Sequence, residues 1–191
     1  MACCSDGNIR TKVTNHGITR LHRDEQEKIV ISASRRTDIP AFYMEWFMGQ
    51  VRQGFFEVVN PYNQRLSKIW ATPDLVHTIV FWSKNFGPFI EGRYAERLKK
   101  MGYHLFLNFT INSENPLLEP NVPALADRME QLQLLCERSL PESVQWRFDP
   151  LCFYRVDGGP IRDNLGQFER VADAAGTLGV KRCVTSFMDD Y

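Results

Sequence analysis

From residue 28 onward, short apolar runs alternate with polar loops, and each run has the length of a strand. Lys28–Ser34, Phe55–Asn60, Thr78–Ser83, His104–Ile111, Ser143–Phe148 and Arg182–Phe187 are rich in Val, Ile, Phe, Trp and Thr and end in turn or loop residues. Between most of them the period changes to that of a helix. Tyr43, Trp46, Phe47 and Val51 share one face of Ala41–Val51. Phe89–Met101 is a more charged helical stretch that stops at Gly102, a residue suited to the left-handed turn after a helix. Leu125, Met129, Leu132 and Cys136 recur at helical spacing, as do Leu165, Phe168, Ala172 and Ala175. Pro61–Asp74 reads as irregular, with Pro73-Asp74 marking a single turn. Residues 1–27 show no sustained period and read as a polar leader. Residues 28–191 then form a single α/β barrel-like domain, truncated at its carboxyl end.

Strands alternating with helices predict a parallel sheet joined by right-handed crossovers. Two closures compete, an open doubly wound sheet and part of a barrel. No strand is followed by a GxGxxG turn, which argues against a dinucleotide fold. The expected fold is therefore α/β with parallel βα repeats, an incomplete (β/α)8 TIM-barrel-like domain of about six strands. A full barrel usually takes about 250 residues. The first and sixth strands are left with open edges, through which self-association is the partner expectation.

Composition narrows the function classes. The 23 basic and 23 acidic side chains cancel, so no global field indicates nucleic acid or a membrane surface. No apolar run approaches a membrane span, and the amino terminus lacks the apolar centre of a signal peptide; the expected location is cytoplasmic. Five cysteines, Cys3, Cys4, Cys136, Cys152 and Cys183, show no repeated spacing and read as reduced thiols, the last three of them buried. The four histidines show no metal spacing, so no metal ligands are assigned.

The polar residues gather where the strands end. The first strand leads into Arg35, Arg36, Thr37 and Asp38, and the second into Asn60. The third runs through Trp82 into Lys84 and Asn85, and the fifth carries Arg147 and Asp149. In parallel α/β folds this end of the sheet is where ligands sit. Thr37 or Asp38 also suits the cap of the following helix, with Pro40 in its first turn. Arg147 and Asp149 lie two apart and share one face of their strand. They suit either an internal salt bridge or an anion-gripping arginine oriented by a carboxylate. The assigned set is Asp38 and Asp149 as catalytic groups, with Arg35, Arg36, Asn60, Trp82, Lys84, Asn85 and Arg147 binding a small anionic substrate.

Specific words within these elements resemble a bacterial family known as domain of unknown function 1848 (DUF1848). They are ISASRRTDIPAFY at 31–43, NPYN at 60–63, IVFWSKN at 79–85, FTI at 109–111, EPNVP at 119–123, VQWRFDP at 144–150 and SFMDDY at 186–191. The resemblance implies a barrel-like enzyme binding an anionic or nucleotide-like substrate. It also implies that longer members carry a C-x3-C-x2-C motif similar to that of radical S-adenosylmethionine enzymes, hence a 4Fe-4S cluster and S-adenosylmethionine as cofactors in those members. This sequence has no such motif, so no cofactor is assigned to it. The alternatives are a non-catalytic metabolite- or partner-binding module and a non-functional fragment of a longer protein.

Overall fold

A computed structural model of the chain describes residues 28–188 together with two two-residue strands, β1 (Val13–Thr14) and β2 (Gly17–Ile18), which pair antiparallel. The rest of the expected leader, and Asp189, Asp190 and Tyr191, lie outside the described residues. From the amino side the elements are β3 (Ile29–Ser32), α1 (Ile39–Phe42), α2 (Met44–Gln53), β4 (Phe55–Val59), β5 (Leu66–Trp70) and β6 (Val76–Ser83). Then come α3 (Gly87–Glu91), α4 (Tyr94–Lys100), β7 (His104–Thr110), α5 (Leu125–Arg138) and β8 (Val144–Leu151). The chain continues through β9 (Phe153–Tyr154), β10 (Arg162–Asp163), α6 (Phe168–Thr177) and β11 (Cys183–Phe187).

Alternation along β6 sets the two faces of the main sheet. Ile79, Phe81 and Ser83 are buried, whereas Thr78, Val80 and Trp82 on the opposite face are half-buried. The buried face meets the helices: the Phe81 ring lies 5.2 Å from Phe47 of α2 and 5.4 Å from Phe89 of α3. Phe86 packs edge-on against both Phe89 and Phe109, so one aromatic cluster joins three layers of sequence. Helix α5 adds Leu125, Leu132, Leu135 and Cys136 to the same core.

The sheet has five parallel strands in the order β11-β8-β7-β6-β3. Each major strand pairs with the next along the chain, so every crossover steps the same way. Right-handed crossovers stepping in one direction leave the helices on one face. A doubly wound sheet would instead reverse direction at a switch point. The fold is α/β, a curled five-stranded parallel sheet with six helices among the described residues. None of these helices is long and apolar enough to cross a membrane.

The expected count of six parallel strands is one too many. Phe55–Asn60 does form a strand, β4, but it pairs antiparallel with β5 in a separate hairpin. Strand β5 lies inside Pro61–Asp74, the stretch expected to be irregular. Local turn chemistry explains the hairpin: Asn60 Oδ1 accepts from Tyr62 N at 2.9 Å, Asn63 Oδ1 accepts from Arg65 N at 3.1 Å, and Gln64 is left-handed at φ 56°. The connection is also too short for a parallel crossover, which needs a dozen residues or more. All five residues of β5 are exposed, so it carries no alternating signal.

Other boundaries shift for visible reasons. The first helical stretch begins at Ile39 and divides at Tyr43, so Met44, Phe47, Met48 and Val51 form its buried face while Tyr43 and Trp46 are exposed. The second divides at Arg93, left-handed at φ 50°. Helix α6 starts at Phe168 and leaves Leu165 outside. Cys136 and Cys152 are buried as expected, but Cys183 is exposed, because β11 is an edge strand with little packed over it.

Gly54 ends α2 at φ 87°, and a Cβ there would approach Thr72 Cγ2 to 3.3 Å. Gly54→Ala is expected to lower stability by about 1–2 kcal/mol, the cost of a left-handed L-residue, as read from urea unfolding.

Candidate active site

The carboxyl ends of β6, β7, β8 and β11 are linked by one polar network. Its hub is Asn112, just beyond β7. Its Nδ2 donates to Glu119 Oε1 at 3.0 Å and to the Asp149 carbonyl at 3.2 Å, and its Oδ1 accepts from Asp149 N at 2.9 Å. A buried amide that satisfies three groups on two other segments fixes their relative positions. Glu119 Oε1 also receives Lys84 Nζ in a short ion pair, which draws the lysine after β6 toward the loop that follows β7. On β8, Arg147 Nη2 pairs with Asp149 Oδ2 at 2.5 Å, and Ser186 of β11 donates to Asp149 Oδ1. The Arg147 and Lys84 side chains keep 26% and 38% of their surface exposed, so both remain open to a ligand.

The Asp149 carboxyl is pulled two ways. Partial burial raises its pKa, but hydrogen bonds from Ser186 and Arg147 and the charges of Arg147 and Lys84 outweigh this, and the pKa lies below its ordinary 3.8. A depressed native pKa adds stability above the unfolded value that is lost as pH falls through the native one. Asp149→Asn is therefore expected to lessen the chain's loss of stability on acidification below the ordinary carboxylate range, measured by thermal melts across that range.

Asp38 occupies a second, distinct cluster. Its Oδ1 accepts from Ala41 N at 3.0 Å, which makes it the amino-terminal cap of α1, and its Oδ2 accepts from Ser83 Oγ at 2.8 Å. Burial raises its pKa despite these bonds. Asn85 closes the cluster: its N donates to Ser83 Oγ at 2.8 Å, while its Oδ1 accepts from Gly87 N at 2.9 Å and Gln131 Nε2 at 3.1 Å.

Of the assigned residues, Lys84, Arg147 and Asp149 are thus brought together, and Asp38 joins Asn85 through Ser83. Arg36 instead donates to the Val59 carbonyl at 2.7 Å and ties its loop to the β4–β5 hairpin. Asn60 is taken up by the turn of that hairpin. Arg35 is exposed and makes no side-chain hydrogen bond among the described residues. Trp82 lies opposite Asn108 on the half-buried face, with its indole N–H buried and unpartnered. Sequence reasoning misses Glu119, although it is the carboxylate that holds Lys84. The signal that could have found it is the long, proline-rich loop between β7 and α5, since long connections inside compact domains are usually functional.

The model of the family described as domain of unknown function (DUF1848) matches residues 30–191. The chain belongs to this family. No curated protein and no solved structure matches it.

The DUF1848 words map onto the site: RRTDIP carries Asp38, FWSKN carries Lys84 and Asn85, EPNVP begins at Glu119, and WRFDP carries Arg147 and Asp149. A three-cysteine cluster meets a plain chemical test in this DUF1848 chain. None of its cysteines has the required spacing. Burial pushes the Cys136 thiol up to about 11 and raises that of Cys152, opposite to what thiolate ligation requires. Among the described residues no group of three or more His, Cys, Asp or Glu is placed to hold a metal ion. Among the described residues, the cysteines do not fit an iron–sulfur cluster.

Proposed function

We propose that this chain is part of a barrel-like enzyme whose strand ends bind a small anionic or nucleotide-like substrate, with Arg147 as the main grip and Lys84 as the second charge. The one-way winding of the sheet supports the barrel-like reading, since that is the strand order of an arc of a (β/α)8 barrel. The observation that carries the anion reading is that two partly exposed cations from different strand ends are each tethered by a carboxylate, while Asn112 bonds both the Glu119 carboxylate and the Asp149 backbone. A guanidinium offers five donors, and Arg147 gives Asp149 a hydrogen bond from one nitrogen only. The remaining donors suit two-point recognition of phosphate or carboxylate. In this reading Asp149 orients Arg147. Asp38, with its raised pKa, is the group suited to hold or accept a proton.

A second reading, a binding module without chemistry, has its own support. Both candidate acids already serve structural bonds, Asp38 as a helix cap and Asp149 as the acceptor of Ser186 and Arg147. The two readings share the anion and differ in turnover. Thermal melts with inorganic phosphate and a nucleoside monophosphate test the shared part: stabilisation should rise with the logarithm of ligand concentration. A response no larger than that to sodium chloride at equal ionic strength would overturn the anion reading.

A further inference from the structure

The sheet has a second face, opposite the helices, and strand register decides what stands on it. Phe81 of β6, Phe109 of β7 and both Trp146 and Phe148 of β8 pack their rings into the helix-covered core. Side chains alternate along a strand, so Trp82, Asn108, Gln145 and Arg147 stand on the other side. Parallel pairing sets them in rows. Trp82 is level with Asn108 and Asn108 with Gln145, while Thr110 is level with Arg147 and Arg147 with Val184. The row from Trp82 to Gln145 therefore lies two residues below Arg147, about 7 Å away at the rise of a strand.

The two levels differ in charge. All three side chains of the lower row are neutral, whereas the upper level holds Arg147, with Lys84 just beyond β6. Trp82 and Gln145 are half-buried and stand two strand spacings apart, about 10 Å. Asn108 between them is 4% exposed and forms the floor. Among the described residues the side-chain hydrogen bonds of β8 belong to Trp146, Arg147 and Asp149, which leaves the Gln145 amide uncommitted.

We propose that this lower row is the ring subsite of a nucleotide, whose base stacks on Trp82 and bonds the Gln145 amide while its phosphate meets Arg147. The proposal rests on the anion reading of the strand ends and narrows it to one substrate class. A carboxamide sets a donor beside an acceptor, the pattern that the edge of a base also presents. Aromatic side chains bind the faces of bases by stacking. A plain hydrocarbon ring would leave the Gln145 amide unpaired, and a second charged group would find no counter-ion in the row.

Titration calorimetry of the full chain with the four common ribonucleoside monophosphates, beside ribose 5-phosphate, is the test. At least one nucleotide should bind at least tenfold tighter than ribose 5-phosphate. Gln145→Leu, similar in size but without the amide, should lower that ratio at least threefold and leave ribose 5-phosphate affinity unchanged. The same nucleotide should quench tryptophan fluorescence where ribose 5-phosphate does not, and Trp82→Phe should remove the quenching. That second readout decides the matter if Gln145→Leu does not fold. If ribose 5-phosphate binds and no nucleotide binds tighter, the ring subsite falls and the anion grip stands. If no phosphate ligand binds, the anion grip falls and takes the ring subsite with it. A full ratio retained in Gln145→Leu, or quenching retained in Trp82→Phe, also overturns the proposal.

Discussion

Phe81→Ala is expected to cost about 3–5 kcal/mol of folding stability, the range for a large ring removed from a packed core. Phe81 has no exposed surface and lies centrally in β6, in ring contact with Phe47 of α2 and Phe89 of α3. Removing it leaves a cavity among rings that are themselves fixed by Phe56, Phe86 and Phe109, so the surroundings have little room to collapse. Urea unfolding should show a lower midpoint at an unchanged slope. A loss below about 1 kcal/mol would mean that this cluster is not the packed centre of the domain.

Arg147→Ala has the largest expected effect on function. It should lower affinity for an anionic ligand at least tenfold, which corresponds to about 1.4 kcal/mol. Its effect on folding should be modest, about 1–2 kcal/mol, because Asp149 keeps Ser186 and retains 22% exposure through which water can replace the guanidinium. That asymmetry separates a binding arginine from a structural one. Arg147→Lys sharpens it: a point charge should preserve most of the stability but recover only part of the affinity, because the planar fork is lost. Equal losses of stability and affinity in Arg147→Ala would favour the internal salt bridge.

The parallel sheet is legible because its strands carry their burial in the sequence. IVFWS and HLFLNFT place large apolar residues on the helix-covered face, and the polar residues beyond them mark the strand ends. The Arg147–Asp149 pair follows from two-residue spacing alone. Strand β5 is not legible, because a fully exposed strand has no alternation to read, and the hairpin that contains it is set by side chain-to-backbone bonds of Asn60 and Asn63. The arginine pair after β3 shows the other limit. Neighbours in sequence, Arg35 and Arg36 part company in space, since the hairpin that captures Arg36 is formed by residues some twenty positions later. Glu119 and Arg128 escape sequence reasoning for a related reason: their importance lies in Asn112, which each meets from a different side and which no local pattern connects to either.

In the proposed function, the strand ends hold an anion through Arg147 and Lys84. Titration calorimetry of the full chain with a nucleoside monophosphate and with inorganic phosphate tests it most directly. The expected result is saturable one-site binding that weakens as salt rises, and that falls at least tenfold in Arg147→Ala and measurably in Lys84→Met. Absence of saturable heat with either ligand, or equal affinity in wild type and Arg147→Ala, would contradict it.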